Sequence, residues 1–382
     1  MRLSDCHNID DFRRLARQRL PWPVFDYIDG AADDEITKTR NTSAFDEVDL
    51  VPDVLAGVGE IDTGCMIMGR RSALPLMLSP TALQRAFHKD GERAVARAAA
   101  KFGIWFGISS LATHSIEEIA ALTNGPKLFQ LYVHKDRGLN ASMLERCREA
   151  QFDALALTVD TIVSGKRERC LRSGFTTPPR FSASSLWSYA TRPRWTLDYV
   201  FGPKFRLPNL DGHVQEGSGK SVSIQDYFNT MLDTNMDWDT AARIRQDWGG
   251  TFALKGVMSA ADARRAVEIG ANAIWISNHG GRQLDGSRAP FDQLREIVDA
   301  VGGEIEIVLD GGVRRGTHAL KGLAAGATAA SGGRLYLYAL AAAGQEGVER
   351  AIEILKEEIE RGMRLMGVTS IDQLTADRLR WR

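Results

Sequence analysis

The 382-residue chain has little cysteine and almost no net charge, and it lacks both a long apolar run and a glycine-rich dinucleotide turn. Its four cysteines, Cys6, Cys65, Cys147 and Cys170, include no pair at C-x-x-C spacing and none beside a histidine in a zinc pattern. They read as reduced cytosolic thiols, and no metal is expected. Lysine plus arginine number 48 against 49 aspartate plus glutamate, a net charge of −1. Nothing global therefore favours a nucleic-acid partner. No stretch reaches the roughly 18 apolar residues that a membrane-spanning helix needs. Met1-Arg2-Leu3-Ser4-Asp5 carries no apolar core of a secretory signal, so the expected location is cytoplasmic. The missing Gly-rich turn after an early strand counts against an open, doubly wound nucleotide-binding sheet.

What is present is an alternation of short β-rich runs with amphipathic helical segments. The expected strands are 74–79, 104–109, 128–133, 154–159, 252–255, 273–277, 306–309 and 327–331. Helical patterns at 91–101, 115–122, 140–150, 260–269 and 290–300 lie between most of them. Eight strands alternating with helices is the count for an α/β fold of the (β/α)8 TIM-barrel type. One domain over 1–382 is expected, with the barrel at about 74–343. An N-terminal helical segment (10–19, 24–28) and C-terminal helices (344–366) pack around it. A long loop after the fourth strand, about 161–237, breaks the rhythm. Its 180–206 part interleaves aromatics with Arg180, Arg192, Arg194, Lys204 and Arg206 against one acid, Asp198. That pattern suits a membrane surface; an insertion folded over the barrel or used between subunits is the equal alternative.

Active sites of such barrels lie at the C-terminal strand ends. Every expected strand delivers polar groups there. The first ends in Pro80-Thr81-Ala82, and the second in Ser109. The third carries Gln130 and Tyr132, and the fourth Thr158 and Asp160, each pair two residues apart and so facing one way. The fifth ends in Lys255, and the sixth runs into Ser277-Asn278-His279-Gly280-Gly281-Arg282. The seventh gives Asp310-Gly311-Gly312-Val313-Arg314, and the eighth Gly333-Arg334. Glycine amides with two arginines at strands seven and eight form a natural phosphate site. His279 can take a proton near neutral pH, and Arg282 can clamp a carboxylate through two parallel hydrogen bonds. Arg167 is a candidate second clamp, the alternative being a solvated pair with Glu168. Lys255, if merely structural, needs a carboxylate partner.

These blocks resemble the FMN-dependent L-2-hydroxy-acid dehydrogenase and oxidase family, from about Ile9 to the C-terminus. Ser-Asn-His-Gly-Gly-Arg-Gln at 277–283 is the most specific. Phe25-Asp26-Tyr27, Ser79-Pro80-Thr81-Ala82, Phe129-Gln130-Leu131-Tyr132, Leu157-Thr158-Val159-Asp160, Leu254-Lys255-Gly256 and Asp310–Gly316 also match. The resemblance implies bound FMN and oxidation of an L-2-hydroxy acid, L-lactate ahead of (S)-mandelate, to the 2-oxo acid. It implies His279 as base, Asp160 as its orienting carboxylate, and Arg282 and Arg167 as the carboxylate clamp. Tyr27 and Tyr132 would flank the substrate. Pro80, Thr81, Ala82, Ser109, Gln130, Thr158, Lys255 and Ser277 would contact the flavin. Asp310 and Gly311 would lie by the ribityl chain, and Gly312, Arg314, Gly333 and Arg334 around the phosphate. The pattern is nearest to bacterial lactate and mandelate dehydrogenases, which implies a homotetramer and peripheral contact with the cytoplasmic membrane face. The expected electron acceptor is a quinone or cytochrome, or oxygen in an oxidase. Leu111 stands where glycolate oxidases have Trp, which argues against a strict glycolate enzyme.

Overall fold

The computed structural model describes residues 1–175, 183–210 and 230–382. Eight parallel strands close into a barrel: β1 (Leu76–Thr81), β2 (Trp105–Ser109), β3 (Lys127–Leu131), β4 (Ala154–Thr158), β5 (Thr251–Val257), β6 (Ala273–Ser277), β7 (Glu306–Asp310) and β8 (Ala329–Gly332). Each pairs with its neighbour in sequence, and β8 returns to β1 through Ala330–Leu76 and Gly332–Leu78. Helices such as Gly91–Phe102 after β1 and Pro290–Val301 after β6 ring the outside. Ser115, Asp136, Asp237 and Ser259 cap helix N-termini by accepting a backbone N–H, which is why those helices begin where they do.

All eight expected strands occur, 273–277 with the expected bounds and the others with one or both ends shifted. β1 begins at Leu76 because Pro75 has no N–H to give to a ladder. β5 is longer than expected, and its pairing with β6 shifts register between Lys255 and Val257, at Gly256 with φ +114°. A Cβ at Gly256 would lie 2.6 Å from Cβ of Asp160, so glycine lets the carboxylate loop after β4 sit against β5. The C-terminal helix Arg334–Met366 starts directly after β8 and breaks at Ala343 and Gly344, the start of the expected 344–366 segment.

The barrel interior is filled by Met77, Trp105, Leu128, Ala154, Ala156, Ala253, Ala273, Trp275, Val308 and Ala329. Two indoles opposite many alanines fill the space that evenly sized aliphatics fill elsewhere. Ile67 and Met68, on the antiparallel pair Cys65–Ile67 and Arg70–Ser72, pack onto this cluster. Outward-facing residues such as Phe106, Ile108, Phe129 and Leu131 pack against the helices.

Three N-terminal helices, Ile9–Arg19, Trp22–Asp29 and Ile36–Ser43, precede the barrel. A short antiparallel pair, Val48–Leu50 with Leu379–Trp381, ties this segment to the C-terminus. The 161–237 stretch contains the helices Glu168–Ser173, Ala183–Ala190 and Pro193–Phe201. Positions 180–182 of the expected aromatic and basic segment lie outside the described residues.

Candidate active site

Three consecutive residues after β6 have left-handed backbones: His279 at φ +58°, Gly280 at +67° and Gly281 at +74°. The glycines adopt this freely, whereas the histidine does so at a cost that surrounding contacts must offset. The reason lies in the packing. A Cβ at Gly281 would sit 2.6 Å from the Lys38 backbone nitrogen, and one at Gly280 would sit 2.9 Å from an Arg334 nitrogen. The turn is thus wedged between the N-terminal segment and the phosphate-side arginine, and it swings the imidazole over the barrel mouth.

His279 Nδ1 lies 3.1 Å from Asp160 Oδ1, and Nε2 lies 3.4 Å from the Tyr132 hydroxyl. Asp160 Oδ1 also accepts from Thr161 Oγ1 at 2.8 Å. Burial pushes the His279 imidazole below its ordinary value of 6.5, and the neighbouring Asp160 opposes but does not reverse this. Asp160 is itself buried, which favours its protonated form, yet His279 and Lys255 together hold it below the usual carboxylate range. The pair at neutral pH is therefore a neutral imidazole beside a carboxylate, the state that accepts a proton and stabilises the resulting cation. Because only the neutral imidazole accepts, kcat/KM falls as pH drops through the imidazole value. The acid limb of the profile is expected below pH 6.5. A limb centred above that value would contradict the burial argument.

Four arginines line the same cavity: Arg167, Arg282, Arg314 and Arg334. Among the described residues none of them has a carboxylate within ion-pair distance. Their donors go to backbone oxygens instead. Arg282 donates to the Tyr27 and Gly30 carbonyls at 2.6 and 3.0 Å, and Arg334 to those of Ile28, Gly30 and Gly280 at 2.9, 2.6 and 2.7 Å. The buried carbonyls at the C-terminal end of the helix Trp22–Asp29 thus orient two guanidinium groups without neutralising them. Burial lowers Arg334 to about 10, and it lowers Arg167, which also feels the charge of Arg282. Uncompensated buried cations are costly unless an anion completes the site. Arg167 is only 8 % exposed. Glu168 pairs instead with Lys166 and Arg172, so the solvated Arg167–Glu168 alternative is excluded.

The structure brings most of the expected residues onto one cavity. Pro80, Thr81, Ala82, Asp310, Gly311, Gly312 and Gly333 line it together with Tyr27, Tyr132, Lys255 and His279. Gly312, at φ +75°, leaves no room for a Cβ against the Asn41 carbonyl. Ser109, Gln130, Thr158 and Ser277 do not line this cavity. The first three form a buried chain in which Ser109 donates to Gln130 Oε1 (2.8 Å) and Gln130 Nε2 to Thr158 Oγ1 (2.7 Å). Lys255 has the carboxylate partner a structural lysine requires, Asp310 at 2.6 Å, and also donates to Ser277 at 2.9 Å. It nonetheless faces the cavity, so the ammonium serves as lining and core ion pair at once.

Other contributors escaped the reading of the sequence. Asp29, 1 % exposed at its side chain, accepts from Arg13, Arg169, Lys38 and Tyr338. Asn41 and Asn278 exchange two side-chain hydrogen bonds at 2.8 and 2.7 Å. Phe87 lines the cavity and stacks on Tyr27 at 6.0 Å. Beyond the Phe25-Asp26-Tyr27 match, the N-terminal segment carries no local signal that it folds over the barrel mouth.

A closed parallel barrel with glycines and arginines at β7 and β8, a lysine at β5 and a histidine–carboxylate pair defines a class: a phosphate-anchored flavin barrel oxidoreductase. The donor set fits FMN: Arg314 and Arg334 line the cavity without a carboxylate partner among the described residues and would hold a phosphate, and Lys255, paired with Asp310, would face the ring. Comparison with known proteins makes this specific. FMN-dependent dehydrogenases match over residues 16–381, and the chain belongs to that family. It is 40% identical to an L-lactate dehydrogenase of Alcaligenes faecalis, over 97% of both chains. It is 39% identical to an L-lactate oxidase of a Nostoc species, again over 97% of both. Among solved structures it superposes on the monotopic membrane protein (S)-mandelate dehydrogenase with TM-score 0.92 and 34% identity, covering 99% of this chain and 100% of that one. The protein is an FMN-dependent L-2-hydroxy-acid oxidoreductase.

Proposed function

We propose that the chain oxidises L-lactate to the 2-oxo acid as a dehydrogenase, with a quinone as electron acceptor. The observation that carries this reading is the sharing of one cavity by His279, backed by Asp160 at 3.1 Å, and two carboxylate-free arginines, Arg282 and Arg167. Arg282 and Arg167 grip the substrate carboxylate, which fixes its hydroxyl and Cα hydrogen in reach of Nε2 of His279. His279 removes a proton, Asp160 stabilises the imidazolium, and Tyr132 steadies the hydroxyl oxygen. Lys255, held by Ser277 and Asp310, supplies positive charge to the cofactor ring. Bound FMN supplies the two-electron acceptor for the substrate. Phe87 and Tyr27, stacked at 6.0 Å, narrow the cavity beside the clamp and favour a small substrate side chain. The same aromatic wall offers a face to a phenyl group, which keeps (S)-mandelate as the second reading.

The test is a substrate panel of L-lactate, (S)-mandelate and glycolate, each with a quinone analogue, cytochrome c and oxygen as separate acceptors. The expected outcome is the highest kcat/KM for lactate with the quinone. A higher value for mandelate overturns the substrate, and oxygen matching the quinone makes the chain an oxidase.

A peripheral membrane location goes with this reading. The helices Ala183–Ala190 and Pro193–Phe201 leave Trp187 74% and Phe201 82% exposed, along with Leu186, Leu197 and Val200. Arg194, Lys204 and Arg206 are exposed beside them. Apolar and basic groups together suit an anionic bilayer surface. No helix among the described residues is long and apolar enough to cross a membrane. Replacing both Trp187 and Phe201 with Ser is expected to release the protein from anionic vesicles in a flotation assay while lactate turnover with a soluble acceptor is unchanged. Undiminished flotation would reject these helices as the contact. A single domain over 1–382 and a homotetramer complete the proposal, and sedimentation checks the assembly.

A further inference from the structure

Trp275 sits at the centre of the barrel, fully buried, on the same face of β6 as Ser277. Its partner across the ladder on β5 is Lys255, just as Asp310 on β7 is the partner of Ser277. Parallel registered neighbours point the same way, so the four side chains form a square in the barrel lumen. Lys255 Nζ donates to Asp310 Oδ2 and Ser277 Oγ on the cavity side of this square, and it stands 5.2 Å from the centroid of the Trp275 ring. The indole nitrogen is buried with no hydrogen-bond partner among the described residues, so packing sets the ring's position. An ammonium beside an indole is stabilised by the ring quadrupole, the more so where both are desolvated.

We infer that Trp275 is a positioning residue for the reaction: its indole face props the Lys255 ammonium up at the cavity floor, where it offers positive charge to the FMN ring. Hydrogen bonds alone do not fix that height. Asp310 and Ser277 hold the ammonium through hydrogen bonds, and its two neighbours on the ladder are Trp275 on β6 and Thr158 on β4, of which the indole alone offers an aromatic face. A smaller side chain at 275 lets the lysine stem sink into the vacated lumen, away from the cofactor. The space for that movement is the volume the indole leaves, in a cluster whose other members include the small Ala253 and Ala273. The inference rests on FMN occupying this cavity.

Sulfite is the probe, since it adds to the flavin ring of flavoproteins only as tightly as positive charge beside the ring allows. Trp275→Leu is expected to weaken sulfite binding to the FMN-loaded protein about tenfold, the factor that corresponds to ~1.4 kcal/mol of lost cation–π stabilisation. The flavin midpoint potential falls with it. Trp275→Phe keeps an aromatic face and stays within about threefold of the parent, whereas Trp275→Met fills volume without a face and follows Leu. If the Leu variant does not fold, the Phe and Met pair decides. Trp105→Leu is the control: equally buried in the same cluster, it destabilises the fold but leaves sulfite affinity at the parent value. Trp275→Leu or Trp275→Met protein that holds FMN and binds sulfite as the parent does overturns the inference alone. Equal weakening by Trp105→Leu also overturns it, reducing the effect to general loosening of the barrel. A parent protein that takes up no FMN overturns the cofactor reading beneath it.

Discussion

His279→Gln is expected to keep its full complement of FMN and to lose roughly 10²- to 10⁴-fold in kcat, the range for removal of a positioned general base. The cofactor is retained because the phosphate-side groups, Arg314 and Arg334, owe their orientation to the Val313, Ile28, Gly30 and Gly280 carbonyls, not to the imidazole. Glutamine preserves volume and the capacity to hydrogen bond toward Asp160 and Tyr132, so the cavity keeps its shape. What it cannot do is hold the abstracted proton. KM should change little, since Arg282 and Arg167 grip the other end of the substrate. Anaerobic stopped-flow reduction of the bound flavin by lactate isolates the chemical step. A rate within tenfold of the parent would remove His279 from the role of base and turn attention to Tyr132. Burial raises that phenol far above its ordinary value, which makes it a poor base.

The barrel and its rim were legible from the sequence for one physical reason: each strand is an apolar run that ends abruptly in polar residues. Buried parallel strands need the first, and a catalytic mouth needs the second. The pairing of Asp160 with His279 came from the family resemblance; the fold brings them together across β5, which β4 and β6 flank. Three features were not legible. The roofing of the mouth by residues 36–42 depends on contacts such as Asn41–Asn278 and Lys38 against Gly281, made across more than two hundred residues and carrying no periodicity. The helix Ile36–Ser43 is too short and too polar to announce itself. The arginines' partners were also hidden, since backbone carbonyls have no side-chain signature. The sequence shows four arginines; only the fold shows that the carbonyl end of one helix orients two of them. The split between cavity lining and buried support was likewise invisible. Ser109, Gln130 and Thr158 lie at strand ends like the rest, yet spend their hydrogen bonds on each other.

Arg282→Lys is the second large effect, expected to cost on the order of 10²-fold in kcat/KM for lactate, which corresponds to about 3 kcal/mol for a buried charged pair left badly met. One nitrogen of the guanidinium is already committed to the Tyr27 and Gly30 carbonyls, and the group lies 4.8 Å over the Tyr27 ring. That arrangement leaves the other edge of the fork turned to the cavity, where it meets a carboxylate with two parallel bonds. A lysine keeps the charge but must choose. An ammonium that satisfies the two carbonyls retreats from the substrate, and one that reaches the substrate leaves the end of the Trp22–Asp29 helix unanswered. The loss should divide between KM and kcat, because the clamp both binds the carboxylate and sets the angle at which the hydroxyl meets His279. Competitive inhibition by oxalate separates the two parts, since it reads carboxylate binding with no chemistry. Oxalate affinity should fall by less than kcat/KM does, and the difference is the share of the arginine spent on orientation. Equal losses would make Arg282 an anchor only. Unchanged kinetics would show that Arg167 alone carries the clamp, and the carbonyl-oriented guanidinium would then be holding the helix end in place.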